Sequence, residues 1–169
     1  MTDTPNDQGI DTTEKLRRMV GEFRTAMLIT RPGDGAPRGR PMSIAAFDDE
    51  QLWFVTSKET SLIEELEGDA GAAVTMQSAR TYVALRGLVG LVDDTDKVRE
   101  LWSETMRPWF PEGKTSPRIV LVRFEPISGE YWDMSGLQLV RLLYRAVKAY
   151  GAGERLEHDD PAGHARVLM

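Results

Sequence analysis

The sequence predicts a mainly β protein in which an antiparallel sheet curls into a barrel and helices pack outside it. Six apolar segments have the length and composition of strands, and short turns rather than crossover helices join most of them. The 169 residues, 41% of them hydrophobic, are enough for one core and too few for two ordinary domains. A single domain is therefore expected.

Periodicity and turn formers assign the elements in chain order. Helical segments carry apolar residues every three or four positions, as Leu16, Val20 and Phe23 do, whereas extended segments are compact apolar runs. A stretch dense in Gly and Pro at 31–38 joins the first two strands, which predicts a hairpin. The predicted strands span 25–30, 39–47, 52–56, 72–77, 81–92 and 118–134. The predicted helices span 12–23, 61–67, 93–106 and 136–151.

Composition and charge exclude several classes of protein. A net charge of −6 and a pI near 5.0 disfavour nucleic-acid binding and favour a small molecule or another protein as the partner. No cysteine is present, which excludes disulfides, thiolate catalysis and thiolate metal sites. The polar N-terminus lacks a signal-peptide pattern, and no apolar run approaches the roughly 18 residues that cross a bilayer. We therefore expect a cytoplasmic protein that does not enter membranes.

Motifs for common catalytic chemistry are missing. His158 and His164 lie in a polar tail without the spacing of metal ligands, so no metal site is expected. The hydrolase signature GxSxG, the dinucleotide signature GxGxxG and the phosphate-binding loop GxxxxGK are all absent. No side chain is identified as catalytic, and any catalysis is expected to come from a bound cofactor.

The stretch "LWFVTSKETSLIEEL" at 52–66 runs from a strand directly into a helix. Such a junction presents free backbone N–H groups and the positive end of a helix dipole. The hydroxyls of Ser57, Thr60 and Ser61 add donors, and Lys58 adds charge. These groups could seat an anion. A capping box of Ser61 and Glu64 explains the same junction without a ligand, and the two interpretations are compatible.

A second candidate is Arg40 in "RGRPMS" at 38–43. In a strand, Arg40 points to the same side as Met42 and Ile44, so a cation shares a face with apolar side chains. If that face lines a pocket, the planar guanidinium suits bidentate contact with a phosphate. The alternative is that Arg40 lies near a strand end and extends into water.

Two tryptophans are not explained by core packing. Trp109 lies in the proline-rich loop 107–117, and Trp132 lies at a strand end. Two roles suit them: a wall over a flat aromatic ligand, or part of a dimer interface. Both roles can hold at once.

The order of the segments resembles one known family. The stretches "GRPMS", "LWFVTSKETSLIEEL" and "AAVTMQ", then "RG" at 86–87, precede "ELWSETMRPWFPEGKTSPRIVLVRFEPISGEYWD". Together they resemble the general stress protein branch of the pyridoxamine 5'-phosphate oxidase-like proteins over residues 12–168. The resemblance implies a six-stranded antiparallel split β-barrel with peripheral helices, in a homodimer that binds FMN at the subunit interface. Residues 1–11 would form a flexible N-terminus, 12–151 the FMN-binding domain with a C-terminal helix, and 152–169 a tail packed on or near the barrel.

The resemblance also implies which residues meet the cofactor. The counterpart of Arg40 contacts the FMN phosphate, and the counterparts of 41–43 run beside the flavin. The segment 55–58 passes along the isoalloxazine ring and the ribityl chain, and Gln77 lies near the ring. Aromatic residues can come from the partner subunit. The implied cofactor-binding residues are Arg40, Pro41, Met42, Ser43, Val55, Thr56, Ser57, Lys58, Ser61, Gln77, Trp109 and Trp132.

Two positions depart from the family pattern. Relatives usually carry a cation at the position of Leu62 that reaches the FMN phosphate, so we expect weakened FMN binding, or a deazaflavin in the same groove. A Leu62→Lys substitution is accordingly expected to tighten FMN binding. A true pyridoxamine phosphate oxidase carries Arg-x-His after its Trp, which "YWDMSG" at 131–136 lacks, so oxidation of vitamin B6 is not expected.

Three functional hypotheses remain open. The first is a flavin-dependent oxidoreductase of unknown substrate, whose chemistry resides in the cofactor. The second is a non-catalytic flavin-binding module related to stress. The third gives the basic stripe of Arg141, Arg145 and Lys148 a role in docking a partner or a membrane; the simpler interpretation is the solvated face of the last helix.

Overall fold

The computed structural model describes residues 12–134, Tyr144, Lys148 and residues 164–169. The strands in this part of the chain are β1 (Thr25–Thr30), β2 (Arg38–Asp48), β3 (Gln51–Ser57), β4 (Gly71–Gln77), β5 (Thr81–Val92), β6 (Ile119–Asp133) and β7 (His164–Leu168). The helices are α1 (Thr12–Glu22), α2 (Ser61–Gly68) and α3 (Thr95–Leu101), followed by single 3-10 turns at Glu104–Met106 and Gly113–Thr115.

All of these strands belong to one antiparallel sheet with the order β3-β2-β1-β4-β5-β6-β7. β3 also pairs with β6, with Leu52 opposite Phe124, so β1 to β6 close into a barrel. The predicted six-stranded antiparallel barrel with peripheral helices is confirmed. The tightest connection joins β2 to β3 through Asp49 and Glu50, whose φ angles of 45° and 64° are those of a two-residue hairpin turn.

β6 is long enough to pair with two strands on one edge. Its first half pairs with β3, and Ser128 to Trp132 pair with β7, while β5 runs along the other edge. β7 is an additional strand within the tail at 152–169, where no strand is predicted. The omission has a simple cause, because only Val167 of its five residues is buried and no apolar alternation marks it.

The barrel interior forms the main core. Leu28, Val74 and Phe124 are completely buried there, and α1 covers the barrel with Leu16 and Val20, which are also completely buried. The helical spacing of the apolar residues in α1 therefore corresponds to its packing face. Each such aliphatic side chain stabilises the fold by about 2 kcal/mol through burial.

A second, smaller core packs α3 and the loop that follows it against β3 and β6. Its buried residues are Trp53, Val98, Leu101, Phe110, Ile119 and Leu121. The helix predicted over 93–106 is too long, because α3 ends at Leu101 and the backbone of Trp102 is extended. The Ser103 hydroxyl then accepts a hydrogen bond from the Thr105 N–H and caps a separate 3-10 turn.

Several predicted features lie outside the described residues. They are the flexible segment 1–11, residues 152–163 of the tail, and the helix over 136–151 apart from Tyr144 and Lys148, which are both helical and exposed. The hypothesis for the basic stripe therefore stays a prediction. Within the described ranges, no helix combines the length and the apolar character needed to span a bilayer.

Candidate functional site

β2 and β3 separate partway along their length. They pair within the hairpin as far as Ile44 opposite Phe54. Beyond that point, among the described strands, residues 38–43 of β2 pair with β1 alone and residues 55–57 of β3 pair with β6 alone. We call the gap between these two segments the split. Both candidate segments of the sequence analysis, one on each strand, border it.

Alternate side chains of β2 point into the barrel and away from it. Arg40 pairs with Leu28, whose side chain is completely buried, and shares the inward face with Met42, which packs against the core. Pro41 and Ser43 lie on the opposite face and are exposed. The Arg40 side chain is 21% exposed, so it lies partly inside the barrel rather than extending into bulk water.

A buried carboxylate lies beside Arg40. α2 turns Glu65 towards the barrel, where its side chain is only 4% exposed. Its Oε2 accepts hydrogen bonds from Thr30 Oγ1 at 2.7 Å and from Arg40 Nη2, and its Oε1 accepts one from Arg38 Nη1 at 3.4 Å. Arg38 also forms an ion pair with Asp34 at 3.0 Å. We call Thr30, Arg38, Arg40 and Glu65 the Glu65 cluster.

The electrostatics of the Glu65 cluster favour the ionised carboxylate. Burial alone would raise the pKa of Glu65, but the hydrogen bond from Thr30 and the charges of Arg40 and Arg38 outweigh burial. The pKa of Glu65 therefore lies below its ordinary value. The cluster is consequently an ion pair at neutral pH and not a set of neutral groups.

The inward face of α2 consists of Leu62, Glu65 and Leu66, all of them buried. Leu62 is 1% exposed in the barrel core, so a lysine there would be buried among apolar side chains instead of reaching the split. The burial of Leu62 thus argues against the expectation that Leu62→Lys tightens FMN binding. The sequence analysis missed Glu65, although its spacing was a signal: an acid three residues after one core leucine and beside another requires a buried partner.

The start of α2 differs from the predicted capping box. The helix begins at Ser61 with Thr60 as its N-cap, and no side chain caps it. The Thr60 hydroxyl donates to the Ser57 carbonyl at 3.0 Å, and Ser57 Oγ accepts from the Glu59 N–H at 3.2 Å. The pairing of Ser61 with Glu64 as a cap is therefore wrong, because the turn that ends β3 uses nearby hydroxyls locally. Ser61 itself is exposed in the first turn of α2.

Lys58 follows β3 directly at the end of the split. Its Nζ lies 2.6 Å from Asp93 Oδ2, and both side chains are largely exposed. Its backbone N–H donates to the Arg118 carbonyl at 2.8 Å, next to the β3–β6 pairing. An exposed ion pair contributes little to stability, so Lys58 can exchange Asp93 for another anion at low cost.

Gln77 and Trp132 form part of a different row across the sheet. Gln77 pairs with Tyr82, Tyr82 with Trp132, and Trp132 with His164. The rings of Trp132 and His164 stack, with centroids 4.9 Å apart and planes 13° from parallel. β1 lies between β4 and β2 in the sheet. Within one chain, Gln77 and Trp132 are therefore in a different part of the sheet from Arg40.

Trp109 lies in the loop between the two 3-10 turns. Its side chain is 72% exposed, while the neighbouring Phe110 is buried in the smaller core. The Trp109 N–H donates to the Met106 carbonyl at 3.0 Å, which holds the turn in place. The indole ring therefore projects away from the core of its own chain, as expected of a side chain that contacts another molecule.

The outer surface of β1, β4 and β5 is largely apolar, and we call it the outward face. Met27, Leu88 and Ile127 are between 39% and 47% exposed on or beside it. A shallow groove of about 440 Å³ runs over it, lined in part by Ala73 and Arg86. Leu88 and Ile127 both line this groove, and neighbouring exposed apolar side chains of this kind are typical of a surface that another protein covers.

The histidines form no metal site in the part of the chain that the structure describes. His164 Nε2 lies 3.4 Å from Glu130 Oε2, in the tail strand β7. No group of three or more His, Asp or Glu side chains in the described ranges is placed to hold a metal ion. His158 lies outside those ranges.

Comparison with protein families assigns the chain. The profile of the family described as pyridoxamine 5'-phosphate oxidase like matches residues 11–157. The chain belongs to this family. The match spans β1 to β6 and all three described helices, so the family resemblance seen in the sequence is confirmed.

Three solved structures described as general stress proteins share the fold. A protein described as a general stress protein 26 from Jannaschia sp. CCS1 is 28% identical with a TM-score of 0.72, over 94% of this chain and 99% of that one. The general stress FMN/FAD binding protein from Xanthomonas citri is 26% identical with a TM-score of 0.62, over 72% and 88%. The General Stress Protein 26 from Bacillus anthracis str. Sterne, 21% identical over 72% and 94%, supports the fold alone with a TM-score of 0.66. No curated protein matches the chain.

Proposed function

We propose that this pyridoxamine 5'-phosphate oxidase-like protein binds FMN in the split and acts as a flavin-dependent oxidoreductase on an unidentified substrate. The observation that carries the proposal is the separation of β2 from β3, since it places two strand edges opposite each other with no strand of the described residues between them. Free edge N–H and C=O groups suit the polar rim of a flavin ring. The relative from Xanthomonas citri, 26% identical, is described as an FMN/FAD binding protein, which supports a flavin.

Each side of the split has its own part in this proposal. In this proposal Arg40 contacts the phosphate, for which a guanidinium is well suited, and Ser61 at the start of α2 offers the phosphate a hydroxyl. The other β2 residues run beside the ring, and the β3 residues follow the ring and the ribityl chain. These residues are Pro41, Met42 and Ser43 on β2, and Val55, Thr56, Ser57 and Lys58 at the end of β3.

The cofactor lies at the interface of a homodimer in this proposal. Exposed apolar residues on the outward face, among them Met27 and Ile127, support a partner there, and so does the exposure of Trp109. Trp109 and Trp132 then reach the cofactor of the other subunit, and Gln77 lies near its ring. A dimer would thus combine residues that one chain keeps apart.

A bound flavin supplies the electron-transfer chemistry. The chain's own groups bind and orient the ring, and apolar side chains such as Met42 and Val55 limit the access of water. Oxidation of pyridoxamine 5'-phosphate itself is not proposed, because no Arg-x-His follows Trp132. The substrate is therefore a different molecule.

One observation favours a second candidate. Arg40 already contacts Glu65, which leaves less positive charge for a phosphate. A deazaflavin in the same split, or a flavin-binding module without turnover, is compatible with this reduced positive charge. Reduction of the bound cofactor by NADH or NADPH, coupled to an acceptor, separates an oxidoreductase from a module without turnover.

The spectrum and mass of the small molecule that copurifies with the protein test the cofactor. We expect flavin absorbance and the mass of FMN, and sedimentation at twice the 19.0 kDa of one chain. Absence of flavin bands, together with no binding in a titration up to high micromolar FMN, would reject the proposal. The mass of a deazaflavin would select the second candidate.

A further inference from the structure

The guanidinium groups beside the split are already matched by carboxylates of the same chain. Arg40 contacts Glu65, and Arg38 contacts both Glu65 and Asp34. These four side chains together carry no net charge when all are ionised. A phosphate monoester brings about 1.5 to 2 negative charges at neutral pH. It would therefore meet no unmatched cation in this group.

Glu65 is the fixed member of the group. Its side chain is 4% exposed, and its main neutral donor, Thr30, is 2% exposed and lies 2.7 Å away. Leu62 and Leu66 hold the same face of α2 against the barrel core. Withdrawal of the carboxylate would leave the Thr30 hydroxyl buried without its acceptor, which is unfavourable. Asp34, by contrast, is exposed and can move aside.

We infer that Glu65 is a specificity-determining residue for the cofactor, whose carboxylate offsets the charge of Arg40 so that the split binds FMN and riboflavin with similar affinity. This inference rests on the proposed flavin site. The site then recognises the isoalloxazine ring and the ribityl chain, which the two flavins share. Arg40 retains N–H groups that Glu65 does not use, so the phosphate is tolerated. Glu65 removes the Coulombic preference for the phosphate, because the carboxylate and the phosphate repel each other.

FMN and riboflavin are a matched pair of probes, since they differ only by the phosphate. Their dissociation constants are measured by flavin fluorescence at neutral pH for wild type, Glu65→Gln and Glu67→Gln. Glutamine keeps a carbonyl oxygen that can accept from Thr30 and removes the charge. Glu67 lies on the same helix and is exposed, so Glu67→Gln removes an equal charge without touching the Glu65 cluster.

Wild type and Glu67→Gln are expected to bind the two flavins within about fivefold of each other. Glu65→Gln is expected to bind FMN roughly tenfold more tightly and riboflavin unchanged, which is the size of one charge-assisted hydrogen bond. Added salt should weaken FMN binding to Glu65→Gln and leave riboflavin binding unaffected, since only the former then depends on an unmatched cation.

A wild-type preference for FMN above about fivefold overturns the inference, and this result requires no variant to fold. A Glu65→Gln protein with a cooperative unfolding transition and an unchanged ratio of the two affinities overturns it as well. If neither flavin binds the wild type, the proposed flavin site is itself rejected, and the inference with it. If the inference about Glu65 fails and the proposed flavin site is correct, both flavins still bind the wild type, so the two failures can be told apart.

Discussion

α1 and α2 both pack on the barrel core, but only α2 brings a charge into it. α1 contributes Leu16 and Val20, which are completely buried. α2 contributes Leu62 and Leu66 in the same way, with Glu65 on the same face. A buried ion pair seldom stabilises a fold more than apolar residues of similar size would. The difference therefore indicates that the charge on α2, which follows directly from the split, has a role besides stability.

The largest expected effect is on the apolar part of α2. Leu62→Lys should lower the free energy of unfolding by about 4 kcal/mol, because an ammonium group would be buried without a partner. Urea unfolding measures the change. Ser61→Lys is the matched control, since Ser61 is adjacent and exposed and should leave stability unchanged. A Leu62→Lys protein of normal stability with tighter FMN binding would show that this face of α2 borders the split.

The charged part of α2 should give a smaller effect. Glu65→Ala is expected to lower the free energy of unfolding by about 2 kcal/mol, because Thr30 and Arg40 lose a buried acceptor. The loss is not larger because Arg40 is partly exposed and water can hydrate it. Urea unfolding of Glu65→Ala, Arg40→Ala and the double variant gives the coupling free energy between the two side chains. We expect Arg40→Ala to cost less in the absence of Glu65. Strictly additive losses would mean that the two side chains do not interact in solution.

Low pH should remove the stabilisation that Glu65 provides as a charged group. Its pKa is lower in the folded protein than its ordinary value of 4.5, so the stabilisation is complete above that value and is lost as the pH falls through the folded-state pKa. The unfolding free energy of the wild type should therefore decline more steeply below about pH 4 than that of Glu65→Gln. Other carboxyls with lowered pKa values, such as Glu104 at about 2, are common to both proteins and cancel. Parallel curves would show that Glu65 is not held as a carboxylate.

Most of the barrel could be predicted from local pattern. β1 to β6 each carry a compact or alternating apolar run between turn formers, and the observed bounds differ from the predicted ones by few residues. β7 could not be found in this way because only Val167 is buried. α3 ends earlier than its periodicity indicates because Ser103 caps a new turn. These errors arise where a short element depends on one side chain instead of on a repeated pattern.

The split and its charge were less accessible to sequence reasoning. Where β2 leaves β3 depends on pairing with β1 and β6, which is not local, so local pattern identified both segments as candidates and only the family resemblance placed them beside one cofactor. The inward face of β2 followed from alternation, and Arg40 lies on it. The partner of Arg40 could not be predicted in this way, since Glu65 is distant in sequence and acidic residues on a helix are usually assigned to solvent. Reasoning from the sequence thus identified Arg40 but not Glu65 as a member of the ion pair.

The smallest effect on stability is expected at the exposed pair of Lys58 and Asp93. Asp93→Ala should change the unfolding free energy by less than about 0.5 kcal/mol, because both side chains are largely solvated. It also frees the charge of Lys58, so FMN should bind about threefold more tightly, with riboflavin unchanged, in the same titration. This gain should be smaller than that of Glu65→Gln, since solvent screens an exposed cation more than a partly buried one. A larger gain from Asp93→Ala would mean that the phosphate lies at the Lys58 end of the split, away from Arg40, and that the charge on α2 has another purpose.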